Sequence, residues 1–182
     1  MLSCAHGADD TALLGETIGH NLERTVARVP DSPALISCHQ DVRYSYGEFG
    51  DAVDRLASAM LAAGLAKGDR VGIWSPNRAE WALTQYATPK IGVILVNINP
   101  AYRVAELEYA LGQSGCRWIV AAPALKGADF VEMVDAVRPK LPELERAVFF
   151  DTDEWESLAQ AAPNRELLDR RGDRRLRLDA HR

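Results

Sequence analysis

Cysteine is scarce, with three in 182 residues. Cys4, Cys38 and Cys116 show no paired spacing, which argues against a disulfide framework and suits reduced thiols in a cytoplasmic protein. Histidine is as thin. His6, His20, His39 and His181 are scattered, and none falls at zinc-ligand spacing with a Cys or Asp. No apolar run approaches the roughly 20 residues of a transmembrane segment. The opening MLSCAHGADD lacks a basic stretch followed by an apolar core, so no signal peptide is expected. Positive charge is also short. The formal net charge of −5 argues against nucleic acid as a partner.

Gly-rich phosphate loops are missing too. Neither G-x-x-x-x-G-K-[ST] nor G-x-G-x-x-G occurs. The nearest approach, Gly64-x-x-x-Gly68, has no hydroxyl residues that could help wrap a phosphate.

What is present is an alternation of short apolar runs and helical stripes. Arg70–Trp74 (RVGIW) reads as a buried strand, and Ser75-Pro76-Asn77 as a turn. Ala79, Ala82, Leu83, Tyr86 and Ala87 recur along one helix face, closed by Pro89 and Gly92. Val93–Ile98 reads as the next strand. Upstream, Thr17 is a helix cap, with Ile18, Leu22 and Val26 as the stripe. Ala34–Ser37 and Val42–Tyr44 form a strand pair around His39-Gln40-Asp41. Ser45 with Glu48 makes a capping box, opening a helix that buries Phe49, Val53, Leu56, Ala57 and Met60 and exits at Gly64. Downstream, Val104, Leu107 and Leu111 mark a helix ending near Gly112. Arg117–Ala121 is a strand, and Phe130, Met133, Val134 and Val137 mark a helix closed by Pro139 and Pro142. Ala147–Phe150 is the last strand. The expected class is α/β, with a largely parallel sheet flanked by helices; strand order does not follow from the sequence.

The order GDRVGIWSPNRAEW, a helix, then PKIGVILVNINPAYRVAELEYAL resembles the N-terminal region of the AMP-forming acyl-CoA synthetases, members of the adenylate-forming enzymes. Tyr44-Ser45-Tyr46-Gly47-Glu48-Phe49 is similar to that family's "LTYxEL" element, and the likeness is greatest to the fatty-acid and medium-chain branch. The resemblance divides the chain into a loose arm at 1–16, a partial AMP-binding domain at 17–162, and an Arg-rich tail at 163–182 expected to be disordered or an exposed helix. It implies a fatty acid–CoA ligase cut short, whose parent reaction uses ATP, Mg²⁺ and coenzyme A to convert a fatty acid to an acyl-adenylate and then to acyl-CoA. The family's "TSGTTGxPKG" loop, "YGxTE" segment, acidic ribose ligand and C-terminal lysine are absent from this sequence. No catalytic, cofactor-binding or metal-binding residue is therefore carried over, and the chain alone is expected to be inactive and to bind no cofactor of its own. A non-catalytic α/β binding or interaction module is the alternative. A piece of a larger domain is also expected to expose apolar surface and to self-associate through it. Acyl-chain length is not legible.

The remaining candidates each have two readings. Asn97, Asn99 and Tyr102, at a strand's carboxyl end, either line a ligand crevice or simply end the strand and satisfy the turn. Trp74, Trp81 and Trp118 are core residues or a pocket wall. Cys116 is a small buried residue, or a nucleophile whose base cannot be identified. Arg171-Gly172-Asp173 reads as a chance tripeptide. The lysines, Lys67, Lys90, Lys126 and Lys140, lie in short connections or near helix ends.

Overall fold

The computed structural model describes residues 14–166 and residue 168. Cys4, His6, His181, Arg171-Gly172-Asp173 and most of the expected arm and tail lie outside the described residues.

Thr17 caps α1 (Ile18–Arg28), its hydroxyl accepting from the His20 amide. Leu22 is buried, but Ile18 is exposed, so the stripe begins a turn later than its spacing suggests. β1 (Pro33–Ser37) and β2 (Val42–Ser45) pair antiparallel across the tight turn at His39-Gln40-Asp41. The Ser45–Glu48 capping box opens α2 (Tyr46–Ala62), and all five residues assigned to its apolar face are buried. Gly64 follows at φ 98°, a left-handed exit that favours glycine.

β3 (Arg70–Trp74), α3 (Ala79–Lys90) and β4 (Ile94–Asn97) form the expected crossover, with β3 and β4 parallel. Pro89 does not close α3 but lies inside its last turn. α4 (Val104–Ser114) runs past Gly112 and ends at Gly115, which holds the left-handed position. Next come β5 (Trp118–Ala121), a small hairpin of β6 (Ala124–Leu125) and β7 (Ala128–Asp129), α5 (Phe130–Val137), a 3₁₀ turn at Arg138–Lys140, β8 (Arg146–Phe149) and α6 (Asp153–Ala159). The hairpin and α6 carried no signal in the apolar periodicity.

The main sheet is fully parallel, in the order β4-β3-β5-β8. Helices α1, α2, α3 and α6 pack on one another, and α4 packs on α5. Gly72 lets the α4 layer approach the sheet. A Cβ there would lie 2.9 Å from Ile98 Cδ1 and 3.2 Å from Leu111 Cδ2. At the amino edge of the sheet, Arg117 bridges Asp69 and Glu145, each at 2.8 Å. Beyond α6 the chain returns to α2, where the Asn164 amide donates to Ser58 Oγ at 3.0 Å and Leu168 is buried.

Candidate functional site

In an open parallel sheet, ligands favour the crevice at the carboxyl ends of two neighbouring strands whose connections leave in opposite directions. Here β3 connects outward to β4 and β5 connects the other way to β8, so that crevice lies between the ends of β3 and β5. It is filled. Trp74, the last residue of β3, is 0% exposed and stacks on Phe130, with ring centroids 3.7 Å apart and planes 7° from parallel. The Trp74 indole N–H donates to the Asn99 carbonyl at 3.0 Å, and the Phe130 amide to the Pro123 carbonyl at 2.9 Å.

Beside this plug, Arg78 clamps the loops after β3 and β8. Its two terminal nitrogens reach the two Asp151 oxygens at 2.8 and 2.6 Å, and Nε and Nη2 reach Glu80 at 3.1 and 2.8 Å. The hydrogen bonds to Glu80, and then those to Asp151, hold the guanidinium firmly protonated against a desolvation cost. Burial pushes the Glu80 carboxyl up, but hydrogen bonds from Arg78 and Gln40 outweigh it and leave it below its ordinary value. Gln40 joins the cluster from the β1–β2 turn. Its Oε1 accepts from the Ala79 amide and from Ser37 Oγ, while its Nε2 donates to Glu80. Arg78, Gln40, Glu80 and Asp151 follow no apolar period, so the sequence pattern does not mark them. A faint clue was available in Gln40-Asp41 at a turn, because a short polar turn is where a side chain can reach a helix start.

Helix N-termini at this edge would suit anions, but the protein supplies its own acceptors. Gln40 takes the Ala79 amide of α3, Glu106 the Arg103 amide at α4, Asp129 the Glu132 amide of α5, and Thr152 the Trp155 amide of α6. Asn99 behaves as a turn residue, its Oδ1 accepting from the Ala101 amide at 2.9 Å. Asn97 and Tyr102 are exposed near it. Trp118 is buried under Arg146, and Trp81 is half-buried. Cys116 lies at the opposite end of the sheet, 1% exposed and 3.1 Å from Ser114 Oγ. Burial raises its pKa, which opposes a nucleophilic role. Lys90 joins α3 to Asp54 of α2 and Glu23 of α1, and Lys140 pairs with Glu108 at 2.7 Å. No group of three or more His, Cys, Asp or Glu gathers as a metal site among the described residues.

A second concavity lies between the β1–β2 hairpin, α2, α3 and α6. It is a hollow of about 220 Å³. Leu56, Leu83 and Trp155 form part of its wall, together with Tyr44, Arg55 and Glu156.

The sequence model of the family described as "AMP-binding enzyme" matches residues 22–176. The rat mitochondrial medium-chain acyl-CoA ligase ACSF2 is 41% identical over 146 residues, which are 80% of this chain and 23% of that protein. The chain thus spans about a quarter of the length of the curated relatives it matches. Among solved structures, the N-terminal domain of FACL13 from Mycobacterium tuberculosis superposes with a TM-score of 0.72 at 27% identity, covering 81% of this chain and 36% of that one. A long-chain-fatty-acid–CoA ligase from Archaeoglobus fulgidus shares the fold at a TM-score of 0.76 and 21% identity, over 90% of this chain and 34% of its own.

Proposed function

The chain belongs to the AMP-binding enzyme family, and we propose that it is the leading part of an acyl-CoA ligase that activates a fatty acid as an acyl-adenylate and transfers it to coenzyme A. The observation that carries this is the 41% identity to a medium-chain acyl-CoA ligase over 80% of the chain. A medium-chain fatty acid is accordingly the substrate class. ATP, Mg²⁺ and coenzyme A belong to the whole enzyme.

The described residues do not fit a nucleoside triphosphate. The crevice that would receive it is packed by Trp74 and Phe130, and the helix N-termini beside it are capped from within the chain. Two of the lysines are committed to carboxylates. Their role in the reading is to build a wall against which the rest of the enzyme assembles, not to hold reacting atoms. The 182-residue chain alone therefore gives no acid-dependent pyrophosphate exchange. Losing one oxyanion-type donor costs about 10²–10³ in rate, and here the whole constellation is missing. A longer protein containing this sequence forms acyl-CoA from octanoate or decanoate with ATP, Mg²⁺ and coenzyme A. Failure of that longer protein to make a thioester with any fatty acid overturns the reading.

A cytoplasmic location belongs to the same proposal. The ACSF2 relatives are named as mitochondrial, so fractionation of the host cell decides between compartments. Self-association belongs to it as well. Ile94 on β4, the sheet's edge strand, and Tyr102, Val104 and Tyr109 beyond it are all exposed. Sedimentation of the chain over a concentration series is expected to show reversible growth in mass, and a strictly monomeric profile removes this part.

A further inference from the structure

The hollow between the hairpin and α6 brings together two opposite charges that do not pair with each other. Arg55 stands on α2 and Glu156 on α6, and both line the space. No ion pair within 4.0 Å joins them among the described residues. Arg55 spends only its Nε, on the Ala159 carbonyl at 3.4 Å; among the described residues its terminal nitrogens have no partner. Among the described residues the Glu156 carboxylate accepts only from Gln160, at the end of the same helix. The other carboxylate at this wall, Glu80, is already neutralised by Arg78 at 2.8 Å. Tyr44 adds a phenolic hydroxyl, and Leu56, Leu83 and Trp155, all buried, form an apolar floor.

A forked guanidinium recognises a planar carboxylate. A rim carboxylate without an ion-pair partner recognises an ammonium. A lone anion would be repelled by Glu156, and a lone cation by Arg55. At about 220 Å³ the space falls below the roughly 300–1,000 Å³ of drug-sized sites, so its occupant is small. We propose that this hollow binds a small zwitterion with an apolar body, of the aliphatic α-amino acid class. Its carboxylate lies against Arg55 and Tyr44 Oη, its ammonium against Glu156, and its side chain on Leu56, Leu83 and Trp155. The site is separate from the adenylation reading and does not depend on it.

The test is an NMR titration of the full chain with three probes sharing one hydrocarbon body: L-leucine, 4-methylpentanoate and 3-methylbutylamine. L-leucine is expected to saturate, with Kd about 1 mM or tighter, and each single-charge probe to bind about tenfold more weakly or worse. Arg55→Gln and Glu156→Gln are each expected to weaken leucine by about tenfold. Glu156 is exposed, so its variant folds normally and carries the test if Arg55→Gln melts early. Absence of saturable leucine shifts overturns the proposal. So does 4-methylpentanoate binding as tightly as leucine, or a folded Glu156→Gln that binds leucine unchanged.

Discussion

The two edges of the parallel sheet are fastened by the same chemistry in different surroundings. At the amino edge, Arg117 bridges Asp69 and Glu145, with the three side chains 30%, 22% and 54% exposed. At the carboxyl edge, Arg78 bridges Glu80 and Asp151, with the three side chains 19%, 16% and 53% exposed, beside the Trp74–Phe130 stack. The wetter edge resembles an ordinary surface network, whose pairs contribute little. The drier edge combines ion pairs, a bidentate clamp and a packed aromatic core. Ligands of open parallel sheets favour the carboxyl ends of the strands, and this is the edge that is closed.

The largest test of the contrast is Trp74→Ala. It removes the plug and one indole hydrogen bond, and is expected to cost about 3–5 kcal/mol in urea unfolding. A cost below about 1 kcal/mol would mean that the crevice is only loosely filled.

Next comes a matched pair of arginine truncations. Arg78→Met strands Glu80 in a half-buried position and is expected to destabilise by about 2–3 kcal/mol. Arg117→Met, at the wetter edge, is expected to cost about 1 kcal/mol or less. Equal costs would erase the distinction between the edges.

Acid sharpens the comparison with a smaller effect. Glu80 and Asp69 both have folded pKa values below their ordinary ones. In each case burial works upward, and is outweighed by Arg78 and Gln40 at Glu80, and by the Ala66 amide and Arg117 at Asp69. A depressed carboxylate stabilises the fold above its unfolded pKa, near pH 4, and loses that contribution as pH falls through the folded value. Melting temperature is therefore expected to drop from pH 5 toward pH 3. Glu80→Gln should flatten that drop, and an unchanged slope would show that Glu80 is not a contributor. The smallest effect is that of salt. About 1 M NaCl shortens the screening length to roughly 3 Å, so the melting-temperature loss caused by Arg117→Met should shrink while that of Arg78→Met persists.

The strand–helix alternation was legible because each run from Arg70 to Phe150 carries its own period. Helix ends were legible where a cap is local, as at Ser45–Glu48, and misplaced where two glycines compete. Gly112 and Gly115 look alike in sequence, but only Gly115 takes the left-handed turn. Pro89 read as a stop because an internal proline usually is one, yet the last turn of α3 accommodates it. α6 has no legible stripe because Asp153–Ala159 buries only Trp155 and Leu158. The reading of Asn99 as a turn residue agrees with its bond to Ala101. The Arg78 cluster was illegible because its members come from the hairpin turn, the β3 exit and the β8 exit. The strand order brings the β3 and β8 exits to one edge, and the packing of the hairpin on α3 adds the turn.

Gln40 carries one more implication, and it concerns the timescale of opening. The amide hydrogen of Ala79 is held by a side chain from a hairpin turn nearly forty positions earlier. That proton cannot exchange with solvent until the turn lifts away, even though it stands in a helix's first turn, where amides are commonly unprotected. Its exchange rate is thus a clock for detachment of the hairpin. If the hairpin and the central crossover open as one unit, Ala79 will exchange in step with the amides of β3. If the hairpin peels away first, Ala79 and the cross-strand amides of the β1–β2 pair will exchange long before those of β3.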